Sequence, residues 1–330
     1  MRGSIAGVAL AVALGAASGA LADEALRKQA SGLFGRIEAP GYAATPEKEL
    51  GRALFWDTRL SLDGKTACAS CHLDWGSDAR RHSRDARNAL TSRHSQTVFN
   101  SMAQPTLRWL GDRKNGADQA EGSLTGSMGF PSREAGMQKA RELNYLEAFR
   151  AAYPEDPEPL TSRNYGRAIA AYEATLVTPA PFDRFLAGDD RALSEPQKAG
   201  LRAFISNGCA GCHSGPLLGG TLMQRFGVAK NYWLETGSEK VDVGRFAMTK
   251  KEEDRYVFRV PMLRNIAKTA PYFHDGSVDR LDRAVRIMAS LQLGRTLDDA
   301  AVSGIVAFLE SLTGAVPAHY APPEGKPSAR

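Results

Sequence analysis

The chain has 330 residues, 43% of them hydrophobic and 24% charged, with 42 Lys and Arg against 37 Asp and Glu and a formal net charge of +5. This composition is that of a globular protein and excludes a disordered or collagen-like chain. Acidic residues interleave with the basic ones, which leaves no nucleic-acid patch, and past the amino terminus no run is apolar for long enough to span a bilayer.

At the amino terminus, Arg2, an apolar run from Ile5 to Ala17 and the small-x-small triplet Ala20-Leu21-Ala22 predict a secretory signal over residues 1–22, with a mature chain starting at Asp23. Export would place the protein in the periplasm. Next, Leu50-Gly51-Arg52-Ala53-Leu54-Phe55 reads as a helix leading into Cys68-Ala-Ser-Cys71-His72. The arrangement recurs when Gly200-Leu201-Arg202-Ala203-Phe204 leads into Cys209-Ala-Gly-Cys212-His213. All four cysteines lie in these two Cys-x-x-Cys-His motifs, the attachment signature of c-type haem. Positions i, i+3 and i+4 of a helical turn share a face. Two thioethers and one imidazole can therefore address one porphyrin, with His72 and His213 as proximal iron ligands. No thiol is left for a structural disulfide. A zinc or dithiol site, the alternative for a Cys-x-x-Cys pair, has no need of the trailing histidine.

Long loops rich in Gly, Ser, Asn and Arg follow each motif, and loops of that length usually have a function. The first carries Arg80, Arg81, Arg84, Arg87 and Arg93, either a solvated stretch or a docking face for an acidic partner. An amphipathic helix is expected from Ser162 to Leu176, and Pro179-Ala180-Pro181 reads as a linker between two halves. Ser194 and Gln197 form a capping box with Pro196 in the first turn, and Gly208 is the stop. A helix from Asp282 to Leu291 follows. The last helix carries the apolar stripe Val302, Ile305, Val306, Leu309, Leu312 and ends at Gly314. Proline and small residues after Pro317 predict a mobile tail. Strand-like alternation is scarce, so the fold class is mainly α. The expected units are residues 23–178, 182–316 and a tail over 317–330.

Three further segments carry a resemblance: Thr97-Val98-Phe99-Asn100, Phe258-Arg259-Val260-Pro261-Met262-Leu263-Arg264-Asn265 and Thr269-Ala270-Pro271-Tyr272-Phe273-His274-Asp275-Gly276-Ser277. With two haem motifs one domain apart, the chain resembles the bacterial dihaem cytochrome c peroxidase and MauG family, methanobactin-associated MauG-like members included. The resemblance implies two cytochrome-c-like haem domains with long loops. The amino-terminal haem would react with hydrogen peroxide and the carboxy-terminal haem would store or relay electrons. Met288, fourteen residues after His274, then corresponds to the second axial ligand of the carboxy-terminal iron, and His/Met ligation raises an iron potential. Core packing is the other reading of Met288. The resemblance also implies Trp109 as a relay between the haems, and Asn100, Thr269 and Pro271 as oxygen ligands of calcium.

The peroxide side departs from the family pattern. Ordinary peroxidases cap the amino-terminal iron with a loop histidine, but here His94 lies too close to Thr97 and His82 too early. An open, five-coordinate iron is expected, with His82 as the alternative cap. Ser127 precedes Met128-Gly129 where the family places its distal glutamate, and Ser123 replaces a family proline. Peroxide heterolysis needs a group that moves a proton; Glu134, Glu121 or a water on Ser127 could serve. Two enzymes fit. A MauG-like oxidase would oxidise an aromatic residue, a tryptophan in the first instance, of a partner protein. An ordinary cytochrome c peroxidase would reduce peroxide with electrons from a small cytochrome or cupredoxin. The missing cap favours the first, which is the expected function, and Met288 favours the second, its alternative. A plain dihaem electron carrier would need a sixth ligand on the amino-terminal iron that the sequence does not offer.

Overall fold

The computed structural model describes residues 21–325. Except for its last two residues, the expected signal segment lies outside them. A helix over residues 21–33 (α1) is the first element. The next, α2 (Pro46–Trp56), is capped by the Thr45 hydroxyl, which accepts from the Lys48 N–H, with Pro46 in its first turn. Then come α3 (Gly116–Ser123), α4 (Arg133–Glu142), α5 (Leu146–Ala152) and α6 (Ser162–Glu173). The second half runs through α7 (Pro181–Leu186), α8 (Glu195–Ser206), the short α9 (Tyr232–Thr236) and α10 (Phe246–Thr249), α11 (Leu281–Leu293) and α12 (Asp299–Glu310). One antiparallel pair, β1 (Met223–Arg225) with β2 (Val257–Arg259), is the only named sheet among the described residues. The fold is mainly α, as the patterning requires.

Each half contains a close crossing of two helices at a glycine. In the first, α2 meets α6 at Gly51, where an added Cβ would sit 1.9 Å from the Ala168 carbonyl oxygen. In the second, α8 meets α12 at Gly200, where a Cβ would sit 1.7 Å from the Gly304 carbonyl oxygen. Only glycine permits backbones to approach so closely. The recurrent leading segments of the sequence are thus a recurrent helix crossing. Phe55, Trp56, Phe99, Tyr165 and Tyr172 fill the first core, and Phe182, Phe204, Ile305 and Phe308 the second. The capping box of α8 forms as expected, and Gly208 ends that helix at φ 90°.

Packing redraws both ends of the chain. Leu26, Ala30 and Phe34, expected in the amino-terminal unit, pack in the second core. Tyr320, expected in a mobile tail, is 7% exposed and packs in the first core. Nor is Pro179-Ala180-Pro181 a loose tether. Asp183 accepts from Ala180 N–H and from Ile37 N–H at 2.8 Å each and pairs with the buried Arg264 at 2.6 and 2.9 Å. No helix among the described residues is long and apolar enough to cross a membrane.

Candidate functional site

Each Cys-x-x-Cys-His motif follows its leading helix as one tight 3₁₀ turn, Cys68–Ser70 and Cys209–Gly211, rather than a turn of α-helix. The first is fastened by the Ser70 hydroxyl, which accepts from the Ala67 N–H at 2.9 Å. Cys68, Cys71 and His72 line one cavity and Cys209, Cys212 and His213 another. The two histidines are held alike. His72 Nδ1 lies 3.0 Å from the Gly76 carbonyl and His213 Nδ1 lies 3.1 Å from the Leu218 carbonyl. A carbonyl can only accept, so Nδ1 carries the proton and Nε2 keeps a free lone pair. Burial pushes both imidazole pKa values down, which keeps them neutral. This is how a protein orients a metal-binding histidine, and it fits an iron ligand in both places.

The wall shared by the two cavities is formed by His94, Gln104, Trp109 and Arg259, with Gln96 and Thr97. Trp109 Nε1 donates to the His94 carbonyl at 2.9 Å, and the His94 N–H donates to the His274 carbonyl at 2.8 Å. Trp109 therefore stands where a relay between the two cavities would. Arg259 is 2% exposed and donates to the Arg108 carbonyl, Gln96 Oε1 and Gln104 Oε1. None of these partners is charged, and burial lowers its pKa to about 10. A buried cation among neutral partners fits an anionic group such as a haem propionate. Arg113 Nε, Gln119 Oε1 and Asp112 Oδ1 are also buried without partners on residues of the first cavity's wall.

Met288 of α11 lines the second cavity together with His213. Ser127 lines the first. The carboxylates proposed beside it do not. Glu134 is exposed in the first turn of α4, a position the helix dipole favours. Glu121 is turned to Arg133 at 3.0 Å and the Ser162 hydroxyl at 2.7 Å. The acid the sequence analysis missed is Glu173, at the end of α6, on the same wall as Cys68. Burial raises its pKa from 4.5 to about 8. The signal was present: Tyr165, Ile169, Tyr172 and Glu173 share one helical stripe, and a carboxylate within an apolar stripe is anomalous.

His82 lines neither cavity, and its Nδ1 is buried without a partner. Thr269 and Pro271 both line the second cavity, and Asn100 is buried. Its amide oxygen accepts from the Thr178 N–H at 2.9 Å and its amide nitrogen donates to the Thr178 hydroxyl at 2.8 Å. Asn100 thus fastens residue 178, and the second lone pair of its amide oxygen is left for a cation. Of the arginines of the first loop, Arg80, Arg84 and Arg87 are exposed, as a solvated stretch would be, and Arg81 and Arg93 are half-buried. Arg80 pairs with Asp78, Arg93 with Asp242 and Arg81 with Glu239, while Arg87 donates to the carbonyls of Thr125 and Gly126.

Comparison with known proteins agrees with this geometry. The chain is 42% identical over 308 residues to the cytochrome c551 peroxidase of Pseudomonas aeruginosa, a match covering 89% of this chain and 88% of that one. It belongs to the di-haem cytochrome c peroxidase family. The model of that family matches residues 45–191. Another peroxidase relative, the cytochrome c551 peroxidase of Nitrosomonas europaea, is 39% identical and covers 84% of each chain. The methylamine utilization protein MauG of Methylophilus methylotrophus is 30% identical, covering 80% of this chain and 82% of its own. Among solved structures, a MauG-like protein associated with microbial copper homeostasis shares the fold with a TM-score of 0.74 at 24% identity, over 87% of this chain and 96% of that one. The chain is thus an oxidoreductase of the di-haem peroxidase type, and the family implies two haem c groups.

Proposed function

We propose that this protein reduces hydrogen peroxide in the cavity of Cys68, Cys71 and His72, with electrons entering from a small cytochrome or cupredoxin at the cavity of Cys209, Cys212 and His213. The setting would be the periplasm. The observation that carries this reading is that Met288 and His213 line one apolar cavity, the residue types of a high-potential electron-transfer iron. When bound, the haems supply the redox chemistry with peroxide. The chain supplies the rest. The Gly76 and Leu218 carbonyls fix the two proximal imidazoles. Glu173 is protonated at neutral pH and can give a proton in the first cavity. Ser127 and Gln119 can hold a water there, and Trp109 bridges the partition. A calcium ion, if part of this arrangement, would rest on oxygens of Asn100, Thr269 and Pro271 and on water.

A second reading is MauG-like: oxidation of an aromatic residue of a partner protein at long range. What favours it is that His82 lies outside the first cavity, so that no cap has to leave before peroxide enters. One experiment separates the two. One equivalent of hydrogen peroxide is added to the fully oxidised holoprotein, and again after one-electron reduction, and the visible and near-infrared spectra are followed. Reaction only after reduction supports the peroxidase. Prompt reaction of the fully oxidised form, with both haem spectra changing, supports the MauG-like reading.

A further inference from the structure

A column of aromatic side chains leaves the first haem cavity on a path that does not use Trp109. It begins at Tyr320, whose hydroxyl donates to the main-chain carbonyl of His72. The Tyr320 ring lies edge-on to Phe99 at 4.7 Å and to Trp56 at 5.2 Å. Trp56 is fully buried, and its Nε1 donates to the Tyr172 hydroxyl at 3.2 Å. Tyr172 donates in turn to the His319 carbonyl at 3.2 Å. The His319 ring is stacked on Tyr42 at 4.0 Å with 14° between planes. Tyr42 is half-buried at the surface and its hydroxyl donates to the Glu49 carboxylate. None of these rings lines the partition between the cavities.

The hydrogen-bond partners decide where an oxidising equivalent would rest. A phenol that loses an electron must also lose its proton, because its radical cation is a strong acid. Tyr320 and Tyr172 give their hydroxyl hydrogens to main-chain carbonyls, which cannot take a proton. Trp56 can be oxidised in passing but is sealed from solvent. In this column Tyr42 alone has a carboxylate as acceptor, and only Tyr42 and its neighbour His319 reach the surface. Burial and the Glu49 contact raise the Tyr42 phenol to about 12, so at neutral pH the proton is there to be moved.

We propose that this column is an exit route for oxidising equivalents and that Tyr42 is a surface oxidation site, where a small soluble one-electron reductant reacts. The inference rests on the peroxide chemistry proposed above. Reduction of one hydrogen peroxide to two waters takes two electrons and two protons. Tyr42 supplies one electron inward through Trp56, and its O–H bond breaks as the proton passes to Glu49. The second electron comes from an external one-electron donor, and the protons come from solvent. The phenoxyl radical is then restored by one electron from the reductant and the proton returned by Glu49.

The test uses the holoprotein carrying ring-deuterated tyrosine. It is first reduced by one electron, mixed with one equivalent of hydrogen peroxide with no further donor, frozen, and examined by electron paramagnetic resonance, with the haem spectrum recorded in parallel. The parent should show a tyrosyl radical that narrows on deuteration. Tyr42→Phe should lose it and Glu49→Gln should lower its yield, while both keep the parent's haem response to peroxide. Peptide mapping should find dityrosine or oxidised tyrosine at Tyr42 in the parent. An undiminished tyrosyl signal in Tyr42→Phe, or a haem response in the parent with no tyrosyl signal, overturns the route. Absence of any haem response refutes the proposed peroxide chemistry, and the route with it.

Discussion

Replacing Gly200 by alanine tests whether the haem domains rest on glycine crossings. The new Cβ would lie 1.7 Å from the Gly304 carbonyl oxygen, 2.4 Å from its carbon and 3.0 Å from Phe308 Cβ. The first two are backbone atoms and cannot rotate away. To restore ordinary contact α8 and α12 must part by about 1.5 Å, and a gap of about 1 Å already forfeits up to half of a dispersion contact. Phe204 and Phe308, at 3% and 0% exposure, face this interface. Each is worth roughly 1.5–3 kcal/mol buried. Losing about half of that for both, with smaller losses at Leu201 and Ile305, costs about 2–4 kcal/mol after the roughly 0.5–1 kcal/mol that alanine gains in a helix. At about 2–4 °C per kcal/mol for domains of this size, Tm falls by roughly 5–15 °C. Thermal unfolding by circular dichroism measures it, with Gly32→Ala in α1 as the control, since nothing lies within 4 Å of a Cβ there. The low-spin spectrum of the second haem should be lost at the same transition. If Gly200→Ala melts with the parent, the close crossing is not what holds this domain.

Trp109→Phe keeps the ring but loses the donor to the His94 carbonyl, and stopped-flow reduction should show slower electron transfer between the haems; equal rates would remove Trp109 from the relay. Asn100→Ala should lower stability by about 1–3 kcal/mol, because the buried Thr178 N–H loses its acceptor, while the Thr178 hydroxyl keeps Asn265. A loss that is the same with and without a calcium chelator would assign Asn100 to this contact alone, and a larger loss with calcium present would make it a ligand. Burial alone would raise the Asp242 pKa, but the hydrogen bonds and charge of Arg93 outweigh it and hold the carboxyl below its usual value. Its stabilisation is present above the ordinary carboxylate range and is lost as pH falls through the folded value, below about 4. Acid titration of Asp242→Asn should therefore be flatter than that of the parent in this window, and coincident curves would exclude the pair. Glu173→Gln should slow the reaction with peroxide by roughly 10²–10⁴ and abolish a decline in rate as pH rises through about 8. An unchanged rate and pH profile would leave Glu173 without a catalytic part.

What the sequence disclosed and what it hid divide by the reach of the interactions. The haem motifs, the Ser194 capping box, the Gly208 stop and the helix bearing Met288 are written within a few neighbouring residues, where backbone geometry dictates the pattern. Glu134 was chosen as a neighbour of Ser127 along the chain, yet it sits on a different helix and faces solvent. Glu173, 46 residues further on than Ser127, is brought to the cavity because α6 crosses α2. Asn100 finds Thr178, 78 residues away, and no local pattern announces that pairing.

The two ends of the chain are the largest case. The halves exchange their ends: α1 precedes the first core but packs in the second, and Tyr320 follows the second core but packs in the first. Asp183 ties this exchange to the junction by accepting from Ile37 N–H, just past α1, while pairing with Arg264. Separation of the halves would therefore require withdrawing Leu26, Ala30 and Phe34 from one core and Tyr320 from the other. Leu26 and Phe34 at about 1.5–3 kcal/mol each, with Tyr320 and a smaller share from Ala30, oppose that motion, in addition to whatever the interface itself contributes. The partition around Trp109 is held at both ends by the chain that encloses it, which is the rigidity a fixed electron path between two cofactors needs. The same exchange places Tyr320 against the His72 carbonyl, so the clasp that fixes the inner path is also the first ring of the outer one.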